Sequence, residues 1–228
     1  MKQLARLISY SQTAENLHVG KDIQELIAYT ARVSNPTNQN NTETSEKLLR
    51  YLVREKHWSP FEMVSACIEV TTTRDIARQL LRHRSFSFQE FSQRYADPTQ
   101  DLDFVFKEAR LQDTKNRQNS IELKDMMDSD ERVNLELDWL KQQAEVMNAA
   151  RKAYDWASER GIAKEQARAV LPEGIMESRL YVNGTLRSWM HYIDLRSGHG
   201  TQKEHIILAR ACADAIEPIF PMIKEFCH

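Results

Sequence analysis

Apolar and polar positions along this chain change period several times, and each change predicts an element. Leu4 to Tyr10 reads as a short strand. From Asp22 to Tyr29 apolar residues fall at helical spacing, with Asp22 able to cap. That helix runs to Arg32-Val33-Ser34 and stops at Asn35-Pro36, because a residue before proline leaves the helical region. A polar loop over 35–41 leads to a second helix over 45–56, with Leu48, Leu49, Leu52 and Val53 on one side. Residues 61–71 alternate: Val64, Ala66, Ile68 and Val70 face one way, Ser65, Cys67, Glu69 and Thr71 the other. This is the pattern of a half-buried antiparallel strand. Thr72-Thr73-Arg74-Asp75 resembles a capping box with Thr72 as the cap. It opens a helix that buries Ile76, Ala77, Leu80 and Leu81 and ends around Arg84.

The stretch after that helix is expected as a loop wrapping back through Phe86, Phe88 and Phe91. Residues 97–129 read as an irregular polar excursion anchored by Phe104, Val105 and Phe106. A long helix follows over 130–160. Its Leu137, Leu140, Ala144, Met147, Ala150 and Tyr154 recur at helical spacing and read as core, and Gly161 stops it. A short helix over 162–171 precedes Pro172, a strand covers 177–182, and Asn183-Gly184 reads as a turn. Thr185 can cap the next helix, apolar through Leu186, Trp189, Met190 and Ile193 and polar through Arg187, His191 and Asp194. The last helix, from about Gln202, packs through Ile206, Ile207, Ala209, Ala213 and Ile216 and breaks at Pro218 and Pro221. These elements give an α+β fold: a twisted, mainly antiparallel sheet flanked by helices, with a helical subdomain, in one domain over 1–228.

Composition narrows the function. A formal net charge of -2 supplies no global basic field for nucleic acid or an acidic membrane. Three scattered cysteines without a C-x-x-C pair read as reduced intracellular thiols. The N-terminal Met1-Lys2-Gln3-Leu4-Ala5-Arg6 lacks the apolar run of a signal peptide, and no segment has the pattern of a membrane span, so a cytoplasmic location is expected. Six glycines form neither G-x-G-x-x-G nor a P-loop, so side chains and helix ends must hold any nucleotide. The seven histidines lack ligand spacing, and no metal site is expected.

The densest chemistry lies in Arg82-His83-Arg84-Ser85-Phe86-Ser87-Phe88-Gln89-Glu90-Phe91-Ser92-Gln93-Arg94. Its arginines offer planar forks that match phosphate and carboxylate oxygens, and its serines add neutral donors. The interleaved phenylalanines require burial, so the stretch reads as one wall of a pocket. Ser92 has no base among its near neighbours Glu90, Phe91, Gln93 and Arg94, which argues against a nucleophilic role. His57-Trp58-Ser59-Pro60-Phe61-Glu62, by its residues alone, reads as a proline-ordered turn leading into a strand.

Arg-His-Arg, seven residues and then Ser is the signature of the flavin-dependent thymidylate synthases. Arg82-His83-Arg84 with Ser92 resembles it, and Glu90 and Arg94 fit its extended form. The resemblance runs from about Ala31 to Glu204. It takes in the His57–Glu62 stretch, Arg168 before Leu171-Pro172, and Leu195-Arg196 followed by Gln202 and Glu204. It implies reductive methylation of dUMP to dTMP, with carbon from methylenetetrahydrofolate and hydride from FAD reduced by NADPH. It also implies a homotetramer whose sites are shared between subunits. Arg196 would be the catalytic group that activates the uracil. Gln79, Arg82, Glu90, Ser92, Gln93, Arg94, Arg168 and Arg196 would hold dUMP, with Arg168 on its phosphate. Ser34, His57, Ser59, Glu62, Arg82, His83, Arg84, Glu90, Thr185, Arg187 and His191 would line FAD. The family often has Asn where Thr185 and His191 stand here.

Two other classes compete. Arg82-His83 shares two residues with the Arg-His-Gly of histidine phosphatases, but Arg84 replaces the glycine that a tight backbone approach needs. A single-strand nucleic-acid binder would also use Arg and Phe, and the net charge of -2 counts against it.

Overall fold

A computed structural model describes residues 3–17 and 22–228. Met1 and Lys2, part of the N-terminal stretch read above, lie outside them. In chain order the elements are β1 (Ala5–Tyr10), α1 (Ile23–Ala31), α2 (Ser45–Arg54), β2 (Ser65–Thr73), α3 (Arg74–Leu80), β3 (Ser87–Glu90) and α4 (Pro98–Asp101). They continue with β4 (Arg110–Gln112), β5 (Ser120–Glu122), α5 (Ser129–Glu159), α6 (Lys164–Ala167), β6 (Glu177–Thr185), α7 (Leu186–Ser197) and α8 (Lys203–Ile216).

The main sheet has the order β1-β2-β6-β3, with every pairing antiparallel. Across its central pair Val70 faces Leu180, Ile68 faces Val182 and Ala66 faces Gly184. The alternation read from the sequence therefore puts Ala66, Ile68 and Val70 on the buried face with Leu180 and Val182. Helices cover that face. Ile27 of α1, Leu49 of α2, Ile76 and Leu80 of α3, Trp189 and Ile193 of α7, and Leu208 and Cys212 of α8 share one core with it. The expected α+β class is therefore the one observed. A smaller core of Tyr154, Ala157, Ala167 and Leu171, with Phe104 against it, ties α5 to α6. Among the described residues no helix is long and apolar enough to cross a membrane.

Two caps form as the sequence suggests. Asp22 accepts the Glu25 N–H at 2.9 Å, and Thr185 accepts the Ser188 N–H at 3.3 Å. The Thr72 cap does not form. Thr72 is still in β2, opposite Ser178, and Thr73 occupies the cap position without bonding a helix N–H. The strand also starts later than its alternation suggests, because Pro60 sets a 3-10 turn over Ser59–Glu62 that takes up Phe61.

α3 ends at Leu80, earlier than expected, and the second half of the motif is a strand and not a loop. The chain turns after Leu81, with the Phe86 N–H donating to His83 O, which brings Phe86 into the core. β3 then lies at the sheet edge with Phe88 opposite Val182. Asn183-Gly184 is likewise no turn: β6 runs straight through it. Gly184 is needed there for space, since a Cβ would stand 2.3 Å from Phe86 Cδ1.

The 97–129 stretch is more ordered than its composition suggests. Val105 N–H donates to Ile175 O at 2.7 Å, Lys107 reaches Thr73 Oγ1 at 2.8 Å, and β4 and β5 form a small hairpin. The stripe on α5 is core only toward its C-terminal end. Ala150 and Tyr154 are buried, whereas Leu137 and Leu140 are 59% and 39% exposed. The one buried side chain in the helix's first half is Gln143, which donates to Lys107 O and accepts its N–H. In α8 the buried stripe passes through His205, Leu208, Ala209, Cys212, Ala213 and Ile216. A 3.6-residue turn puts Ile207 on the other side, and it is exposed where packing was expected.

Candidate active site

The site grows from the end of α3. Leu80 is buried, so Gln79, Arg82 and His83 are carried on the opposite side of the chain as it turns. α7 supplies the facing residue from its last turn. Its apolar side is locked in the core by Leu186, Trp189, Met190 and Ile193. That orientation brings Arg196 to His83: the guanidinium Nε donates to imidazole Nε2 at 3.0 Å. The His83 ring also stands edge-on to Tyr192, with centroids 5.1 Å apart. Burial, then Arg196, then Arg82 lower the His83 pKa to about 4. The imidazole is therefore neutral near pH 7, with its lone pair on Nε2 and its proton on Nδ1. Among the described residues the terminal nitrogens of Arg196 make no hydrogen bond.

Behind this pair Gln79 Nε2 donates to Gln202 Oε1 at 2.9 Å, and Gln79 Oε1 lies 3.0 Å from His205 Nδ1. Arg82 and Arg84 are exposed. The nearby Arg78, one turn from Arg82, is neutralised by Glu173.

The other residues read from the sequence fall into two further groups. Glu90 closes β3 and accepts from Ser178 Oγ at 2.7 Å, with Arg74 Nη1 at 3.4 Å. Beyond it Ser92 Oγ accepts the Arg94 N–H at 3.3 Å, and Arg94 pairs with Glu165 of α6, three residues before the half-buried Arg168. Gln93 is buried, and among the described residues its Nε2 has no partner. An unmet buried donor costs about 1–3 kcal/mol, so this amide is suited to an acceptor that the described residues do not supply.

The last group lies around the start of α7. Arg187 pairs with Glu62, and the His191 ring meets Trp58 edge-on at 4.7 Å. Burial and then Arg187 lower the His191 pKa, partly opposed by Asp194. Thr185 is engaged as a helix cap and meets the Ser188 hydroxyl at 3.2 Å. His57 is exposed beside Tyr51, Ser59 opens its 3-10 turn, and Ser34 ends the turn after α1.

Sequence reasoning missed four contributors: Tyr192, His205, Ser178 and Arg74. A signal existed for His205. It stands three, four and seven residues before Leu208, Ala209 and Cys212, on the apolar stripe of α8. Ser178 and Arg74 had none, because only the folded sheet and the start of α3 bring them to Glu90.

In chemical terms, the exposed cations of Arg82 and Arg84 beside the hydroxyls of Ser85 and Ser87 suit phosphate oxygens. The Trp58 and His191 rings suit a flat heterocycle.

A family model described as thymidylate synthase complementing protein matches residues 7–222. The chain is 48% identical over 202 residues to a probable flavin-dependent thymidylate synthase of Paramecium bursaria Chlorella virus 1, covering 89% of each. It is also 48% identical over 199 residues to a flavin-dependent thymidylate synthase of Synechocystis sp., covering 87% of this chain and 86% of that one. Among solved structures, a UMP/dUMP methylase PolB from Streptomyces cacaoi bound with 5-Br dUMP matches with a TM-score of 0.75. That match has 24% identity and covers 97% of this chain and 93% of the other, a likeness of fold.

Proposed function

The chain belongs to the flavin-dependent thymidylate synthase family, and on that premise we propose that it methylates dUMP to dTMP, with methylenetetrahydrofolate as carbon donor and NADPH as reductant. When bound, FAD supplies the hydride that makes the methylation reductive. The observation that carries the reading is the Arg196–His83 contact, which joins the end of α7 to the family motif and leaves the guanidinium fork free.

The residues divide the work. The C5 carbon of neutral uracil is a weak nucleophile. A guanidinium beside N3 and its neighbouring oxygen draws negative charge onto those atoms and so raises electron density at C5. Arg196 is suited to this because neutral His83 fixes its plane while taking none of its charge. Gln79, Arg82, Glu90, Ser92, Gln93, Arg94 and Arg168 hold the nucleotide, with Arg168 on its phosphate. Ser34, His57, Ser59, Glu62, His83, Arg84, Thr185, Arg187 and His191 line FAD, with Arg82 and Glu90 at the border of both sites. The donor set fits that cofactor in kind: open arginines and hydroxyls for a pyrophosphate, and aromatic edges for a ring.

The three groups of site residues have separate contacts within one chain, and α5 exposes Leu137 and Leu140. Both features support the homotetramer with shared sites. The net charge of -2 and the open arginines together support small anionic substrates over nucleic acid, and the free Cys67, Cys212 and Cys227 support a cytoplasmic location.

The test is direct. Purified protein should take up FAD, turn yellow, and convert dUMP to dTMP with methylenetetrahydrofolate and NADPH. A colourless protein that takes up no FAD and forms no dTMP would sink this reading.

A further inference from the structure

A line of polar side chains crosses the core behind the motif. The Tyr192 hydroxyl lies 3.1 Å from His205 Nε2, and His205 Nδ1 lies 3.0 Å from Gln79 Oε1. Gln79 Nε2 donates to Gln202 Oε1 at 2.9 Å. Gln202, its Oε1 engaged by Gln79, has its amide nitrogen left for the Glu204 carboxylate, whose buried Oε2 has no hydrogen bond among the described residues, and Arg110 Nη2 donates to Glu204 Oε1 at 2.5 Å. The line joins α7, α8, α3 and β4, and both Tyr192 and His205 are fully buried in it.

Its direction follows from one end. Burial works against the Glu204 charge, yet Arg110, its own backbone N–H and Gln202 hold its pKa below the ordinary range. An ionised carboxylate only accepts. Gln202 must therefore turn its nitrogen to Glu204 and its oxygen to Gln79. Gln79 then turns its nitrogen to Gln202 and its oxygen to His205. His205 must donate from Nδ1, so Nε2 takes the Tyr192 proton. A free Gln can present either end of its amide, and a neutral His can hold its proton on either nitrogen. Here one partly buried ion pair decides all three.

We propose that Glu204 and His205 are positioning residues that act through Gln79, holding its amide so that the nucleotide always meets an N–H donor. This rests on the reading of Gln79 as a nucleotide contact. Gln79 has one N–H left after Gln202 is served, and it suits a keto, hydroxyl or phosphate oxygen of the substrate. Reversing the amide would break the bonds to His205 and Gln202 together. Arg110 gives the 97–129 stretch a part in the site, because it anchors the charge that sets the direction.

The experiment is calorimetric titration of dUMP into the FAD-loaded protein. Gln79→Ala tests the underlying reading. Tyr192→Phe serves as the reference background, so that no buried hydroxyl is orphaned when His205 is changed. On that background His205→Leu removes the donor, while His205→Asn keeps an N–H near the Nδ1 position. Relative to the background, His205→Leu should weaken dUMP binding about tenfold, the scale of one hydrogen bond. His205→Asn should recover most of it. Glu204→Gln should weaken dUMP as well, since an amide there lets the line run either way. At saturating dUMP, dTMP formation should stay within about twofold of the background rate, because positioning acts on binding. Loss in Gln79→Ala with none in His205→Leu or Glu204→Gln would overturn the proposal and leave Gln79 as a contact. Parent-like binding by Gln79→Ala would overturn both. Equal loss in the Leu and Asn variants would show a purely structural role and overturn the proposal too.

Discussion

Arg196 and His83 meet side chain to side chain, Nε to Nε2 across 3.0 Å, where the end of the helix after β6 touches the arginine-rich motif. A bond through Nε orients the guanidinium and still leaves its two-nitrogen fork open. Lysine keeps the charge at a helix C-terminus, worth about 0.3–1 kcal/mol, but has no fork. Arg196→Lys should therefore keep FAD content and melting temperature near the parent's. Single-turnover dTMP formation should fall by roughly two orders of magnitude, as for loss of one oxyanion-type donor. Parent-like rates would reduce Arg196 to a helix-end cation.

Ser92 offers the contrasting case. Its hydroxyl accepts the Arg94 N–H, and no histidine or carboxylate hydrogen-bonds to it among the described residues. A serine without a base is a weak nucleophile. Ser92→Ala should keep measurable dTMP formation, with a raised KM for dUMP. Complete loss of turnover while dUMP still binds normally would contradict this.

The buried histidines predict a pH dependence of stability. Burial first, and then nearby charges, lower His83 to about 4 and His205 to about 3, from 6.5. Between about 6.5 and those folded values the unfolded chain binds protons that the native chain refuses. Stability should be level above that window and fall as pH drops through it. The Tyr192→Phe/His205→Asn variant should show a shallower fall in melting temperature from about pH 6.5 to about pH 5 than Tyr192→Phe alone. Equal slopes would mean that His205 is not held neutral by its surroundings.

Gly184 and Phe86 make a steric prediction. A Cβ at Gly184 would stand 2.3 and 2.6 Å from two ring carbons of Phe86, whose ring centroid is 4.6 Å from that of Trp189. Gly184→Ala should destabilise by about 1–3 kcal/mol through overpacking, seen as a lower denaturation midpoint. Adding Phe86→Leu should cost less than the sum of the two single changes, because they share one space. Strict additivity would show that the contact is not the cause.

The exposed half of α5 predicts an assembly. If Leu137 and Leu140 are covered by a second copy, Leu137→Glu with Leu140→Glu should shift light-scattering mass below that of a tetramer and reduce FAD content. A parent protein that is already monomeric would remove the stripe from any interface.

The sequence by itself determined the elements whose pattern is local. β2 alternates, α7 carries an apolar face with Thr185 as its cap, and Asp22 starts α1, because side-chain period and cap chemistry act within a few residues. It also determined the kind of chemistry at the motif, since Arg, His and Ser offer the same donors in any fold. Only the tertiary structure decided which partners those donors have. Asn183-Gly184 has the composition of a turn and is strand, because pairing with β2 on one side and β3 on the other outweighs local preference. Leu137 and Tyr154 share one helical stripe, yet one is exposed and the other buried, because only the second has another element against it. His205 lies far from Gln79 and Glu204 from Arg110 in the chain, and the packing of α8 against α3 and β4 makes each a neighbour. Period records which face a residue is on, and only packing of the whole chain sets what that face meets.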